Sequence, residues 1–409
     1  MRVLLFTGKG GVGKTTAAAG TATLAAARGH KTLVLSTDAA HSLADAFGIQ
    51  PASDPTEVEP NLFVQQVDAQ RKFEQTWVEI RRYLLSVLDS VGVDPIEAEE
   101  LTVLPGAEEV LALLELRDQA RSGRWDLVVV DCAPTAETLR LLALPEALNW
   151  YMDRVFPIER RMVRALRPVL GRVAGVPMPL DQVFDAVERL HAELAGVREV
   201  LTDPSTSVRL VLTPEAVVVA EARRTLTSLS LYGYRTDAVV ANRIFPAGGA
   251  DAWRDGWVAA QTAMLAEVEA SFAPLPVLRS PYRAAEPVGV AALRAFAAEA
   301  YASAGSGGEP ADPCALLCQT ETMTIRNLPP AAAGETRYLL SLALPLADKR
   351  DMDLRRKGDE LVLTVAGHRR QLALPAALQR CAITGAQLQD ERLEITFTRG
   401  ASTPEPPPS

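Results

Sequence analysis

The chain has 409 residues, 48% of them apolar and 23% charged, so it is long enough for two or three domains and has the balance of a protein that buries a core. A formal net charge of -9 excludes a nucleic-acid scaffold held by a general basic surface, and no run of about eighteen uncharged apolar residues offers a membrane span. Four cysteines without regular spacing exclude a disulfide framework, and MRVLLFTGKGG reads as a first strand and not as a signal peptide, so a cytoplasmic protein is expected, with no nucleic acid among its partners.

Short runs rich in Val, Leu and Ile recur as RVLLFT, KTLVLST, LFVQQV, DLVVVD, VRLVLT and DAVVAN, each followed by a helical pattern. Strands this continuously apolar are buried on both faces, and their alternation with helices predicts an α/β fold with a doubly wound, mostly parallel sheet. Ligands of such sheets bind outside the carboxyl ends of the strands. Helical patterns fill residues 70–122, broken at VGVDP and VLPG, and a helical insertion is expected over about 139–200. The Gly/Pro/Ser-rich stretch AGSGGEPADP marks a linker over 304–317. From 318 to 398 the pattern changes to short strands with turns at Gly and Asp, which predicts a small all-β module. The tail 399–409, ending STPEPPPS, is disordered by composition. The expected division is thus 1–303, a linker, and 318–398.

The stretch GKGGVGKTT, residues 8–16, fits two phosphate-binding patterns at once. Gly8, Gly10 and Gly13 have the spacing of a dinucleotide fold, in which Asp38 would bond a ribose. A dinucleotide loop, however, needs no lysine after its last glycine, whereas here Lys14 and Thr15 follow at once. The loop therefore reads as a triphosphate cradle and the fold as a P-loop NTPase. Backbone N–H groups from Gly10 through Gly11, Val12 and Gly13 to Thr15 would hold phosphate oxygens, Lys14 would neutralise them, and Thr16 would add a hydroxyl to the α-phosphate. Thr15 is the expected Mg²⁺ ligand, with Asp131 at the end of DLVVVD positioning the metal shell. The cofactors expected are ATP and Mg²⁺.

Lys9 stands too early to be the P-loop lysine. KGGVGKTT resembles the deviant Walker A motif of the ATPase class that contains MinD, ParA, the nitrogenase iron protein and the arsenical pump ATPase. That resemblance implies that Lys9 reaches across a homodimer interface to the other subunit's phosphates, where a cation stabilises developing charge. STDAAHSLADAFG (36–48) and DCAPTAETLRLLALP (131–145) are similar to the two switches of the arsenical pump and tail-anchored-protein targeting ATPases. PGAEEVLALLEL, PEAVVVAEARRTLTSLSLYG, VVANRIFP and SPYRAAEPVG are similar to further family segments, in family order, so the resemblance spans residues 1 to about 300. It implies that Asp38 orients or polarises the attacking water, that Asn242 reads adenine and that Pro281 begins the segment beside the base. As a helix N-cap Asp38 has a second, compatible role. Ala39 stands where the first switch usually has proline, and Ala136 and Glu137 stand where the second has Gly-His. A stiffer second switch with added negative charge leads us to expect slower hydrolysis.

The resemblance implies several downstream activities. One is chaperoning or targeting of hydrophobic segments of tail-anchored or other membrane proteins, with a client groove built from helices; the second is the catalytic subunit of an arsenite or anion efflux pump; the third is a positional ATPase of the MinD type. Met152, Met162 and Met178 in the insertion suit an adaptable apolar groove and equally suit a helix-packing core. Arg160, Arg161, Arg164 and Arg167 keep one face wet or attract an acidic membrane, so membrane contact is expected to be peripheral at most. Neither a family set of soft thiolates nor a C-x-x-C pair is present. Cys314 and Cys318 could share a helix face at i, i+4, and His30 reads as a turn residue. YLLSLALPLADKRDMDLRRKGDELVLTVAGHRRQLALPAAL followed by ITGAQLQDERLEITF resembles an α-crystallin (small heat-shock) domain, which implies a β-sandwich that binds exposed polypeptide or mediates assembly; a plain structural appendage is the other reading.

Overall fold

The computed structural model describes residues 1–37, 42–67, 107–132, 181–248, 251–305, 307, 309–319, 321–330 and 335–399; within helices the side chains of 107–110, 181–187, 190 and 191 are not described. Asp38, Ala39, Ala136, Glu137, the three methionines and the four arginines of the insertion all lie outside the described residues.

An eight-stranded sheet forms the larger body. In chain order its strands are β1 (Arg2–Thr7), β2 (Thr32–Ser36), β3 (Thr56–Glu59), β4 (Leu62–Gln66), β5 (Leu127–Asp131), β6 (Thr206–Leu212), β7 (Thr236–Ile244) and β8 (Val277–Pro281). Their spatial order is β3-β4-β2-β5-β1-β6-β7-β8, parallel throughout except where β3 pairs antiparallel with β4. The six apolar runs of the sequence are the six inner strands, and β1, β2, β5 and β6 are buried at every position. The two strands that sequence patterning misses are the edges. TEVE is half exposed, and VLRSP ends in proline, so neither carries an apolar run.

Helices α1 (Lys14–Ala27), α2 (Ser42–Phe47), α3 (Ala107–Arg121), α4 (Asp181–Thr202), α5 (Ala216–Tyr232), α6 (Ala252–Phe272) and α7 (Val290–Ala302) connect or flank these strands. Alanine-rich α1 is buried nearly all round, as a helix without a polar face must be. It lies so close to α7 that a Cβ on Gly20 would stand 2.9 Å from Leu293 O and 3.0 Å from Phe296 Cδ1. Helix α4 is the described end of the expected insertion, and Arg121 of α3 pairs with its Glu199 at 2.5 Å.

Toward the amino ends of β1 and β7 the sheet buries an ion network. Asp237, fully buried, accepts from Arg2 at 3.0 Å and from Arg209 at 3.2 and 3.1 Å. Burial disfavours the charged form of Arg209, but Asp237 and the Tyr301 hydroxyl outweigh it and raise its pKa above the ordinary value. The same network ties down the stretch expected as a linker. Arg209 donates to Ala315 O at 3.1 Å, Leu317 N donates to Asp237 at 3.3 Å, and Ala304, Ala311, Cys314 and Leu317 pack on the core. Cys314 and Cys318 share no helix face here. Residues 313–315 form a turn and a bend, because Pro313 follows Asp312 and the Asp312 carboxylate caps Cys314 N at 2.9 Å.

The smaller body pairs a four-stranded antiparallel sheet, ordered β14-β15-β10-β9, with a three-stranded one, β11-β12-β13. Its strands are β9 (Met323–Leu328), β10 (Thr336–Ala343), β11 (Met352–Lys357), β12 (Glu360–Val365), β13 (His368–Ala373), β14 (Ala382–Gln389) and β15 (Arg392–Arg399), with a short helix α8 (Ala376–Gln379) before β14. Leu393, Ile395 and Phe397 alternate inward along β15, the period of a strand with one buried face. The two-residue hairpin turns Ala366–Gly367 and Asp390–Glu391 have positive φ at both positions, which matches the strand twist. One residue of the larger body enters this core. Leu231, near the end of α5, is fully buried among the sandwich leucines, and Arg370 of β13 donates to its carbonyl.

Candidate active site

Register places three strand ends level. Phe6 of β1 and Ser36 of β2 both stand opposite Asp131, the last residue of β5, so the loop after β1 opens directly beside that carboxylate. The loop itself is shaped by glycine. Gly11 and Gly13 have φ of 80° and 94°, in the left-handed region, and a Cβ on Gly13 would collide with the Asn242 amide. A Cβ on Gly8 would collide with Val211 O of β6. Helix α1 starts at Lys14, so its unpaired N–H groups and the positive end of its dipole face the loop.

Within this frame Thr15 Oγ1 donates to Asp131 Oδ2 at 2.7 Å, and Ser42 Oγ lies 3.3 Å from the same hydroxyl. Asp131 is almost wholly buried, and its backbone carbonyl accepts from Thr37 N at 3.0 Å. Lys14 is also buried, with Nζ 3.4 Å from Lys9 O, so the ammonium is folded back under the loop. Lys9 points the other way. Its half-exposed Nζ sits 3.7 Å from Glu221 of α5.

The cleft beside the loop holds about 370 Å³ and is lined by Gly13, Thr16, Asn242, Pro281, Tyr282 and Phe296 among others. That is within the size range of small-molecule sites. Asn242 is fixed from both ends of its amide: Nδ2 donates to Val12 O at 2.8 Å, and Oδ1 accepts from Arg243 N at 2.9 Å. Tyr282, half exposed, stacks on Phe245 with ring centroids 5.2 Å apart and planes 3° apart. Of the residues expected from sequence, Gly8 to Thr16, Asp131, Asn242 and Pro281 surround one loop and its cleft, and Asp38 lies outside the described residues. Sequence reasoning missed Ser42, Thr37, Glu221 and Tyr282. Ser42 and Thr37 sit inside the switch-like STDAAHSL and could have been read there; Glu221 carries no local signal, since only the packing of α5 brings it to Lys9.

Cys132 follows Asp131, and burial, then the neighbouring carboxylate, push its thiol up to about 12, so it stays protonated. All four cysteines are free, and among the described residues no three thiols gather into a cluster.

A parallel sheet whose central strand runs into a glycine-rich loop ending in Lys-Thr, beside a strand that ends in a buried aspartate, defines a P-loop nucleotide hydrolase. Within that class the match is specific: the anion-transporting ATPase family model covers residues 1–302, and the model of the HSP20-like domain found in ArsA covers residues 335–397. The chain belongs to this family and is an ATPase. It is 36% identical over 401 residues to "Putative arsenical pump-driving ATPase" of Chlorobaculum tepidum, covering 97% of this chain and 96% of the relative. It is 38% identical to "Uncharacterized protein SCO2128" of Streptomyces coelicolor, covering 97% of each. "ATPase ASNA1 homolog" of Cryptosporidium parvum is 33% identical over 243 residues, 58% of this chain and 64% of that protein. Among the described residues no helix is long and apolar enough to cross a membrane.

Proposed function

We propose that the chain hydrolyses Mg²⁺-bound ATP in the cleft at α1 and uses the cycle to open and close a homodimer around a hydrophobic segment of a client protein. The observation that carries the nucleotide half is the Thr15–Asp131 pair, a hydroxyl and a buried carboxylate 2.7 Å apart at the mouth of the loop. Two hard oxygen donors beside a phosphate cradle suit Mg²⁺, which keeps waters and phosphate oxygens for its remaining positions. Bound there, the ion would neutralise charge on the β- and γ-phosphates.

The chain's own residues supply the rest. Backbone N–H groups from Gly10 to Thr15 hold phosphate oxygens, and Lys14, already folded beneath the loop, supplies a positive charge that needs no reorganisation. Thr16 faces the α-phosphate, while Asn242 and Pro281 border the base. Asp38 orients the water. Lys9 leaves Glu221 and reaches the phosphates of the other copy. An exposed pair of this kind is worth at most about 1 kcal/mol, so releasing it is a small cost. The division at 303 and 318, with the sandwich as a separate polypeptide-binding or assembly module, is part of the same proposal, as is a cytoplasmic setting.

The client is proposed as an apolar helix rather than a metalloid. As(III) calls for several soft thiolates, and among the described residues no three thiols come together. Turnover measured with a synthetic apolar helix of about 20 residues and, separately, with arsenite tests this. Binding of the helix in the ATP state by Asp38→Asn, with arsenite leaving wild-type turnover unchanged, is the expected outcome. Arsenite-stimulated turnover with no helix binding would transfer the assignment to a pump.

A further inference from the structure

At the amino end of the sheet, away from the phosphate loop, three side chains of different ligand chemistry converge. His30 lies in the turn after α1, and Asp312 and Cys314 lie in the segment that leads to the sandwich. One ligand atom from each falls within 4.8 Å of the other two, with His30 Nε2 and Asp312 Oδ1 3.7 Å apart. Among the described residues neither the imidazole nor the thiol has a hydrogen-bond partner, and Asp312 Oδ1 accepts only from Cys314 N. Arg28 Nη1 stands 3.9 Å from the carboxylate, too far to occupy it, because its other nitrogen is bonded to Pro310 O at 2.6 Å.

We propose that His30, Asp312 and Cys314 form a binding site for a borderline-soft divalent cation, Zn²⁺ being the best match. Imidazole nitrogen, thiolate sulfur and carboxylate oxygen are the three ligand types that zinc accepts together, and water completes a tetrahedron. A hard ion such as Mg²⁺ would not select the thiol, and As(III) would find one thiolate where it needs more. All three residues are half-buried, so an ion can enter without unfolding the sheet. Burial, then Asp312, push the Cys314 thiol up to about 12, so without metal it is a protonated, inert thiol and the ion must displace its proton. Arg28, Arg2 and Arg209 oppose a cation here, and Asp126 favours one, which sets the affinity below that of a closed structural zinc site.

The bound ion would staple the segment 309–319 to the turn between α1 and β2. That segment already hangs on Arg209 and Asp237 at Ala315 and Leu317 and on Arg28 at Pro310, so the metal would add a further point of attachment. This assignment stands apart from the nucleotide reading.

Cobalt(II) titration of the full chain, with Mg²⁺ and ADP present, tests it. The expected result is about one cobalt per chain with a thiolate-to-cobalt charge-transfer band, displaced by Zn²⁺, and a rise in melting temperature with Zn²⁺. Cys314→Ser should abolish the band, and His30→Gln should weaken binding by more than the roughly 10–100-fold that loss of an outer-shell partner costs. Cys318→Ser and Cys132→Ser should leave both readouts unchanged. Cobalt held only by oxygen ligands at the nucleotide site gives no such band. No band in the wild-type chain, or a band that survives Cys314→Ser, would overturn the proposal, and should Cys314→Ser fail to fold, an unaltered affinity in His30→Gln would do the same.

Discussion

At the scale of single residues the molecule separates two kinds of charge. Lys9 and Glu221 are half exposed and 3.7 Å apart, a contact that water and salt screen, whereas Arg2, Arg209 and Asp237 have no water to replace a lost partner. Replacing Asp237 with alanine leaves two buried guanidinium groups facing each other, and it also removes the acceptor of Leu317 N. We expect Asp237→Ala to lower unfolding free energy by about 3–5 kcal/mol, read from the midpoint of urea denaturation at unchanged slope. Glu221→Gln, by contrast, should change it by less than about 1 kcal/mol on the same measurement. A loss above 3 kcal/mol for Glu221→Gln would mean that Lys9 is held in place as part of the fold and is not available to move.

At the scale of elements, α1 and α5 connect the site to the rest of the chain. Helix α1 presents its first N–H groups to the loop at one end and the His30 turn at the other, and Gly20 in its middle lets α7 approach. A methyl group at Gly20 gains about 1 kcal/mol of helix propensity but meets a backbone carbonyl at 2.9 Å, and overpacking of this kind costs about 1–3 kcal/mol. The overpacking wins, so Gly20→Ala should lower the melting temperature; a rise would show that α7 shifts freely. Helix α5 joins Lys9, through Glu221, to the sandwich core, through Leu231. Sequence patterning finds these elements unevenly. The inner strands are legible because burial on both faces demands unbroken apolar runs, and the loop is legible because glycine, lysine and threonine occur there at fixed spacing. The edge strands β3 and β8 are not, since half their surface meets solvent. The packed course of 309–319 is hidden as well. The Gly/Pro/Ser-rich stretch 304–313 that leads into it reads as a linker, and its partners, Arg209 and Asp237 at Ala315 and Leu317 and Arg28 at Pro310, are brought to it by the packing of the larger body.

The whole molecule joins a cleft at the carboxyl ends of the strands, proposed to hold the nucleotide, to a sandwich seated on the far end of α5. The family is established over both bodies, because its two models match residues 1–302 and 335–397. In the proposed cycle the metal is held at Thr15 and Asp131, where α1 and β5 meet. Asp131→Asn keeps the shape of that contact while removing the charge that the metal shell would need. Phosphate release from ATP, followed across a Mg²⁺ titration for wild type and Asp131→Asn, is the most direct measurement. Mg²⁺-dependent turnover is expected in the wild type and a fall of about 100-fold or more in kcat/KM in the variant, with its melting temperature nearly unchanged. Wild-type turnover in Asp131→Asn at the same Mg²⁺ dependence would contradict the proposed cycle.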